Sequence, residues 1–370
     1  MTSLRLLADD LTGALDSAAE FVGLCGPFDV TWADSLPPHL PSCLAIDSGT
    51  RERTPAESVA IVERLAPLLG DASIAYKKVD SLLRGAWAAE LGSSLRTGAW
   101  KACIVAPAFA YQGRRTWNGQ HYALGQDGRW FPVGANLLAQ LADQGVNAQM
   151  GRFDAPLTEG VHVFDAESDA DLDRVVTIGR RAPSPLLWCG SGGLAGALTR
   201  GHSAVAPQTL RTPVLGLFGS DQATTAAQLD ACGPAVVTLR DQGADNAGIV
   251  RRKLVHDGVA LVKFAFVPGL SRGEAAERIA RELNALTAAL DPPGTLIVAG
   301  GETLKAVCLA LGARALKVTG RIVPGLPRSI LQGGRWADVE VISKSGAFGA
   351  SDLWRYLLQE NQLFIERHAS

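Results

Sequence analysis

The sequence predicts a two-domain α/β protein in which each domain is a mostly parallel sheet flanked by helices and the active site lies in the interdomain cleft. Three observations support this prediction. Short apolar runs alternate with longer amphipathic segments, many of the runs end in Gly, Asp or Ser, and 370 residues exceed what one hydrophobic core usually supports. A small, polar, proline-containing stretch at residues 200–208 predicts the linker, which gives domains 1–205 and 206–370.

The predicted strands are short apolar runs bounded by turn-forming residues. In chain order they are residues 5–8, 43–47, 74–79, 103–106, 186–189, 214–218, 235–239, 260–263, 296–299 and 339–343. The predicted helices are amphipathic segments at 55–67, 86–95, 222–231, 272–288, 303–311 and 352–365. Residues 110–167 show weak periodicity, and loops or an irregular hairpin are expected there.

Composition excludes several classes of protein. An apolar fraction of 47% with 19% charged residues is typical of an α/β enzyme and not of a disordered chain. The net charge of -2 and the lack of a basic block predict binding to neither nucleic acid nor an anionic membrane. Acids at positions 9 and 10 argue against a signal peptide, and no apolar stretch approaches the ~18 residues of a membrane helix, so a cytoplasmic protein is expected.

The spacing of the cysteines and histidines bears on metal binding and on whether the protein resides in a reducing compartment. The six cysteines are scattered without a CxxC pair and predict buried free thiols in a reducing compartment. The six histidines show neither HxxxH nor HExxH spacing, so no zinc site is expected.

The first candidate site follows the first predicted strand. Asp9 and Asp10 end that strand, and Thr12 and Asp16 lie in the helix that begins there. This position is the carboxyl edge of a sheet, where open α/β proteins bind ligands, and buried carboxylates are costly without partners. The alternative is that Asp10 or Thr12 only caps the helix.

The second candidate site follows the strand at 74–79. Lys77, Lys78, Asp80, Ser81 and Arg84 could clamp an anion while they present a carboxylate to a hydroxyl group. The guanidinium of Arg84 suits a planar carboxylate because it donates paired hydrogen bonds. The alternative is a solvated turn with one structural ion pair.

A third polar cluster follows the strand at 103–106. Arg114, Asn118 and His121 belong to a segment dense in hydrogen-bonding side chains, which would suit a polyhydroxylated ligand. The alternative is an exposed polar loop, in which His121 has a structural role.

A glycine-rich turn at residues 190–195 (GSGGLA) fits the G-x-G-x-x-[GA] pattern of dinucleotide-binding folds. The acid expected about 20 positions later in that fingerprint is missing, so NAD binding is not favoured. The turn either presents backbone N–H groups to a phosphate or packs its helix close to the sheet.

Three further turns in the second half follow predicted strands. They contain Ser220, residues 300–303 (GGET) and residues 344–346 (KSG). Glycines allow the backbone to approach a phosphate, helix N-termini supply partial positive charge, and Lys344 could add a full charge. No G-x-x-x-x-G-K-[ST] motif is present, so a P-loop enzyme is excluded.

Taken together, these segments resemble the four-carbon acid sugar kinase family, in the family's order and over nearly the whole chain. They are ADDLTGA at 8–14 with Asp16, KKVDS at 77–81 with LRG at 83–85, PAF at 107–109 with Gly113, Arg114, Asn118 and Gly119, and the motifs at 190–195, 300–303 and 344–346 with Phe348 and Gly349. Residues 47–51 (DSGTR) correspond to the family's Asp-Thr-x-x-Arg element, with serine in place of threonine. Leu82 stands where the family usually has a small hydroxyl residue, and the turn at Ser220 reads FGSD where SGS is common.

The resemblance implies an N-terminal sugar-acid-binding domain, a C-terminal nucleotide-binding domain, and ATP-dependent phosphorylation of threonate, erythronate or 3-oxo-tetronate, with ATP and Mg²⁺ as cofactors. The expected nucleotide contacts are Ser220, Gly300, Gly301, Glu302, Thr303, Lys344, Ser345 and Gly346. The expected substrate side comprises Asp9, Asp10, Thr12, Asp16, Lys78, Asp80, Ser81, Arg84, Arg114 and Asn118. No protein metal ligands are assigned, and a homodimer is a further expectation.

In the resulting hypothesis, Arg84 and Lys78 hold the substrate carboxylate, and Asp10 or Asp80 accepts the proton of the terminal 4-hydroxyl group. The glycine turns bind the triphosphate with Mg²⁺, and domain closure excludes water. One rival is a phosphatase with an aspartyl nucleophile, but that chemistry needs acids at i and i+2, and position 11 is Leu. The other rival is a non-catalytic sensor of sugar acid or nucleotide.

Overall fold

The computed structural model describes residues 2–125, 127–220, 222–239, 245–265, 269 and 271–364. The chain divides into two compact units, Met1–Ala204 and Val205–Ser370. Among the described residues, no helix is both long enough and apolar enough to cross a membrane.

The first unit contains a long sheet, a small sheet and six described helices. Its strands are β1 (Leu4–Ala8), β2 (Phe28–Trp32), β3 (Cys43–Asp47), β4 (Ile74–Lys78), β5 (Ala102–Ala106), β6 (Arg114–Trp117), β7 (Gln120–Leu124), β8 (Trp130–Pro132), β9 (Ala148–Met150), β10 (Gly160–Val163) and β11 (Leu186–Gly190). Its helices are α1 (Leu11–Cys25), α2 (Pro55–Leu65), α3 (Trp87–Thr97), α4 (Leu137–Ala142), α5 (Asp169–Gly179) and α6 (Gly192–Leu198).

All neighbouring strands of the long sheet are parallel, in the order β2-β3-β1-β4-β11-β5-β10-β9. β1, β3 and β5 are buried along their whole length, as expected for a parallel sheet covered by helices. The register sets Ala8 opposite both Asp47 and Lys78. The segments that follow β1, β3 and β4 therefore begin side by side at one edge of the sheet.

Residues 110–167, expected as loops or an irregular hairpin, contain more regular structure. They form the three-stranded antiparallel sheet β6-β7-β8, α4, and the strands β9 and β10 of the long sheet. Asn118 and Gly119 connect β6 to β7 with φ values of 50° and 71°. Two consecutive positive φ values are what a two-residue hairpin turn needs, and Asn-Gly is the preferred pair for them.

The second unit contains one mixed sheet. Its strands are β12 (Val214–Phe218), β13 (Val236–Leu239), β14 (Val259–Phe264), β15 (Thr295–Ala299), β16 (Ala315–Val323), β17 (Leu326–Gln332) and β18 (Glu340–Lys344). Its described helices are α7 (Ala223–Asp230), α8 (Asn246–Asp257), α9 (Arg272–Ala289), α10 (Gly301–Leu311) and α11 (Leu353–Glu360).

The strand order of this sheet is β13-β14-β12-β15-β18-β17-β16. The first five strands are parallel, and β17 and β16 add an antiparallel hairpin. Phe218, Ala299 and Lys344 are aligned in register. The three glycine-containing turns that follow β12, β15 and β18 therefore lie at one edge of this sheet.

The predicted α/β class with mostly parallel sheets is confirmed, and the differences concern single elements. The sequence prediction omitted β16 and β17, because alternating buried and half-exposed residues replace the continuous apolar run of a buried strand. It also omitted β2, α5 and α8. The helix predicted for 352–365 ends at Glu360, and the predicted end, Ile365, lies outside the described residues.

Candidate active site

Asp10 serves both as the N-cap of α1 and as part of a carboxylate cluster. Its side chain accepts hydrogen bonds from the Gly13 N–H at 2.8 Å and from the Thr12 hydroxyl at 2.7 Å. Asp10 therefore does cap the helix, but capping is not its sole contact, because the same carboxylate also contacts Arg51.

Arg51 joins three carboxylates from two segments, the one that follows β1 and the one that follows β4. Its Nε and Nη2 donate to the two oxygens of Asp9 at 2.7 and 2.8 Å. Its Nη1 lies 2.6 Å from Asp10 Oδ2, and its Nη2 lies 3.5 Å from Asp80 Oδ1. The predicted site set did not include Arg51, although the Asp-x-x-x-Arg element at 47–51 was a signal for it.

Asp80 is held mainly by Arg84. The Arg84 Nε and Nη2 donate to the two Asp80 oxygens, each at 2.8 Å. Burial favours the neutral acid, but the Arg84 hydrogen bonds and the charges of Arg51 and Arg84 outweigh it and hold the pKa of Asp80 well below its usual range. Burial likewise opposes ionisation of Asp9, and Arg51 outweighs it, so the pKa of Asp9 is lowered.

Lys78 and its neighbour Lys77 have different surroundings because successive side chains of a strand point to opposite faces. The Lys78 Nζ donates to the Val79 carbonyl at 2.8 Å. A Cβ added to Gly13 would lie 3.0 Å from this Nζ and 2.6 Å from Asp10 Oδ1, so Lys78 reaches the cluster. Lys77 instead pairs with Glu90 at 2.7 Å in the interior.

Arg114 and Ser81 connect the small sheet to this cluster. The Arg114 Nη1 donates to the carbonyls of Gln112 and Gly113, and Ser81 donates to the Gln112 side chain at 3.2 Å. Burial lowers the pKa of Arg114, and the nearby charge of Asp80 opposes this effect.

The structure gives His121 and Asn118 local structural roles. His121 is fully buried between the Thr116 hydroxyl and the Ser81 carbonyl. Asn118 is exposed in the hairpin turn, where its N–H and that of Gly119 donate to the Asp165 carboxylate at 2.8 and 2.9 Å. A substrate contact by Asn118 remains a prediction.

The glycine turn at 190–195 packs a helix closely against its neighbours. A Cβ at Gly193 would overlap the Ala108 carbonyl oxygen, and one at Gly192 would lie 2.9 Å from Asp16 Oδ2. Ser191 caps α6. Close packing therefore accounts for these glycines, and Asp16 lies beside the start of α6.

In the second unit the three turns contact one another. Gly300 adopts φ 100° and donates its N–H to the Lys344 carbonyl at 2.9 Å. A Cβ on Gly346 would overlap Ser220 Oγ, and one on Gly219 would lie 2.7 Å from Thr303 Oγ1. The turns are therefore packed so closely that a side chain at Gly219 or Gly346 would collide with Thr303 or Ser220. Glu302 is exposed at the start of α10, and Asp221 lies outside the described residues.

Lys344 is a buried cation at this edge. Its side chain is almost fully buried, with 1% of the residue exposed, and its Nζ donates to the carbonyls of Ser345 at 3.0 Å and Gly346 at 3.2 Å. Burial lowers the pKa of Lys344 to about 7. A neighbouring anion would restore the charged form of this amine.

Within the described part of the chain, no group of three or more His, Cys, Asp or Glu side chains could hold a metal ion. The clustered carboxylates are paired with Arg51 instead. Mg²⁺ usually keeps several waters and binds through substrate phosphates with one or two carboxylates. These residues therefore do not form a protein cage for Mg²⁺.

Comparison with known proteins shows the family to which this chain belongs. A D-threonate kinase of Cupriavidus necator is 30% identical to this chain, over 95% of this chain and 96% of that protein. The chain belongs to the four-carbon acid sugar kinase family. A second member of the family, the 3-oxo-tetronate kinase of Pseudomonas fluorescens, is 29% identical over 95% of both chains.

Two family models match separate parts of this family member. Residues 4–130 match the sugar-binding N-terminal domain, which includes the carboxylate cluster. Residues 208–353 match the nucleotide-binding C-terminal domain, which includes the three glycine turns. The fold matches the crystal structure of a Salmonella typhimurium LT2 protein with a TM-score of 0.74, at 20% identity, over 99% of this chain and all of that one.

Proposed function

We propose that this protein transfers the γ-phosphoryl group of ATP to the 4-hydroxyl group of a four-carbon sugar acid such as threonate, erythronate or 3-oxo-tetronate. The observation that carries the proposal is the cluster of Asp9, Asp10 and Asp80 with Arg51 and Lys78 inside the sugar-binding match. The names of the relatives support the substrate class, because these acids share a carboxylate and a terminal hydroxyl group.

The cluster offers donors for the substrate carboxylate. The ammonium of Lys78 has three N–H donors, and the Val79 carbonyl takes one of them. Arg84 uses Nε and one Nη2 hydrogen for Asp80, but its side chain is 50% exposed and its Nη1 edge remains available. We therefore assign the carboxylate to Lys78 and the outer edge of Arg84.

Asp10 is the better candidate for the general base. A useful base must take up a proton near the working pH, and the strongly lowered pKa of Asp80 makes it a weak acceptor. Asp10 would accept the hydroxyl proton while the substrate oxygen bonds to the γ-phosphorus and ADP leaves. Asp10 then releases this proton to solvent, which restores its carboxylate.

The second unit would bind the nucleotide. Ser220, Gly300 and Gly346 lie in closely packed turns. α10 begins directly after Gly300 without a side-chain cap, so the N–H groups of its first turn can reach phosphate oxygens, and Lys344 adds a charge. Mg²⁺ would enter as the ATP complex and would neutralise phosphate charge. The oligomeric state, including the expected homodimer, remains a prediction.

The proposal is tested with purified protein, ATP, Mg²⁺ and single tetronates, with ADP release as the readout. ADP release that depends on one acid is expected, and ³¹P NMR of the product should show phosphorus coupled to the C4 protons. The matched 4-deoxy acid should bind without ADP release. Tight binding of every acid without ADP would instead support the non-catalytic sensor.

Lys344 should make ATP binding dependent on pH. As the pH rises through about 7, Lys344 loses its proton and its attraction for phosphate, so the affinity for ATP should fall. One linked proton gives at most about a tenfold loss per pH unit. The phosphates of ATP are mostly ionised above about pH 7, since a phosphate's second pKa is about 6.

Isothermal titration between about pH 7 and about pH 9 measures this dependence. We expect Lys344→Met to bind ATP weakly with a flat pH profile. Lys101→Met, which removes an exposed lysine of the first unit 3.7 Å from Glu159, should keep the wild-type slope. If Lys344→Met retains the slope, another group is responsible.

A further inference from the structure

The turn after β18, residues 345–350 (SGAFGA), contains two of the glycines at the proposed nucleotide edge. Gly349 adopts φ 93°, and glycine loses more conformational freedom on ordering than any other residue. Inside the turn, the Phe348 N–H donates to the Ser345 carbonyl at 3.2 Å. A local hydrogen bond offsets only part of the cost of ordering, so the conformation of the turn depends on contacts from other segments.

Helix α7 supplies such contacts through two polar side chains. The Thr225 hydroxyl donates to the Gly346 carbonyl at 2.7 Å. The Gln228 amide nitrogen donates to the carbonyls of Phe348 at 3.0 Å and Ala350 at 2.8 Å. Residues three apart in a helix share a face, so both side chains meet the turn from one side. Three carbonyls of the six-residue turn are therefore held by α7.

The burial of these two side chains indicates that packing alone does not explain them. Thr225 is 1% exposed and Gln228 is 0% exposed. Both partners of the Gln228 amide are carbonyl oxygens, which only accept, so the nitrogen faces them and uses both of its N–H bonds. Its Oε1 is buried and has no partner among the described residues. An apolar side chain of similar size would avoid the cost of burying an amide, so the turn is what the glutamine serves.

Thr225 also connects α7 to Lys344. The Lys344 Nζ donates to the same Gly346 carbonyl, at 3.2 Å. α7 itself begins three residues after Ser220, and a Cβ on Gly346 would overlap Ser220 Oγ. One short helix therefore follows the turn after β12 and fastens the turn after β18.

We propose that Thr225 and Gln228 are positioning residues that hold the turn at 345–350 in the conformation that binds ATP. They act through backbone carbonyls and contact neither ATP nor the sugar acid. The inference rests on the proposed nucleotide-binding role of the second unit. When the turn is loosened, a smaller fraction of molecules is competent to bind, and the apparent Kd rises as that fraction falls.

The test removes each donor with little change in side-chain volume. Gln228→Met loses the amide, and Thr225→Val loses the hydroxyl group. Loss of one or two buried hydrogen bonds should raise the Kd for ATP roughly 5- to 30-fold, measured by isothermal titration at neutral pH. Thr225→Ser keeps the hydroxyl group, and its Kd should lie closer to the wild-type value than to that of Thr225→Val. Gln359→Met, the same substitution as at Gln228 but at an exposed position of α11, should leave the Kd unchanged.

Steady-state kinetics separate positioning from a loss of stability. Loss of positioning should raise the KM for ATP, while kcat at saturating ATP and the KM for the tetronate stay unchanged. A purely structural role would instead lower kcat, because a smaller fraction of the protein is folded, and would leave both KM values unchanged. That second pattern in Gln228→Met and Thr225→Val would contradict the inference.

Hydrogen exchange reports on the turn without turnover. In the absence of ATP, the amides of residues 345–350 should exchange faster in both variants than in the wild type. Thr225→Val loses a single hydroxyl group and carries the test if Gln228→Met does not fold. Unchanged exchange, or unchanged ATP affinity in a folded variant, would overturn the inference. A wild-type protein that does not bind ATP would overturn the proposed function, while the exchange measurement still tests whether α7 holds the turn.

Discussion

Asp10→Asn is expected to lower kcat by roughly 10²- to 10⁴-fold, the usual contribution of a general base, with little change in the affinity for the sugar acid. The physical reason is that an amide cannot take up the hydroxyl proton at neutral pH. The fold should survive, because Asn is as good an N-cap as Asp and can still accept the Gly13 N–H. Initial rates of ADP release at saturating ATP and tetronate measure the effect.

Two matched variants sharpen this experiment. Asp80→Asn should weaken sugar-acid binding more than it lowers kcat, because it releases Arg84 from its present geometry. Asp154→Asn changes an exposed carboxylate that pairs with Arg152 at 2.9 Å and should leave both parameters unchanged. If Asp10→Asn turns over at the wild-type rate, Asp10 is not the base.

Lys77→Met is expected to destabilise the protein more than any surface substitution. Lys77 and Glu90 are 0% and 1% exposed and lie 2.7 Å apart, and Glu90 Oε1 has no hydrogen-bond partner among the described residues. Burial favours the neutral amine, but the charge of Glu90 outweighs it and raises the pKa of Lys77. Loss of one partner of a buried pair costs about 3–5 kcal/mol, since the other charge is left uncompensated.

Urea denaturation at neutral pH measures this loss as a change in the free energy of unfolding. The double variant Lys77→Met/Glu90→Leu should recover most of the stability, because replacing a buried pair by apolar groups is often neutral. Lys101→Met, which removes a surface lysine 3.7 Å from Glu159, should change stability by less than about 0.5 kcal/mol. A double variant as unstable as Lys77→Met would show that packing, and not the unpaired charge, causes the loss.

Much of the fold could be predicted from the sequence, because buried parallel strands are continuous apolar runs. The predictions for β3 and β12 coincide with the observed bounds, 43–47 and 214–218. The β16–β17 hairpin was missed because the prediction relied on continuous apolar runs, whereas these strands include half-exposed polar residues. The small antiparallel sheet could be anticipated only as an irregular hairpin, since its strands are short and mostly half-exposed.

The candidate site was partly predictable because the ends of buried strands can be located from their apolar runs. Acids and bases directly after apolar runs indicated the sheet edge that carries Asp10, Lys78 and Asp80. The local pattern does not distinguish Lys77 from Lys78, and the prediction chose Lys78 from the family resemblance; the sheet places Lys77 in the interior, against Glu90. Asn118 looked like a ligand contact, and its hairpin conformation offers a local explanation.

The sequence by itself determined the α/β class, the family and the strand ends at which polar residues gather, since each depends on local pattern or on motif order. The tertiary structure alone decided that Arg51 meets Asp9, Asp10 and Asp80, that Lys77 is paired in the interior, and that Lys344 is buried. Charge pairing depends on distances between segments that are far apart in the chain. Those distances are set by the strand order β3-β1-β4 and its register, which no local pattern encodes.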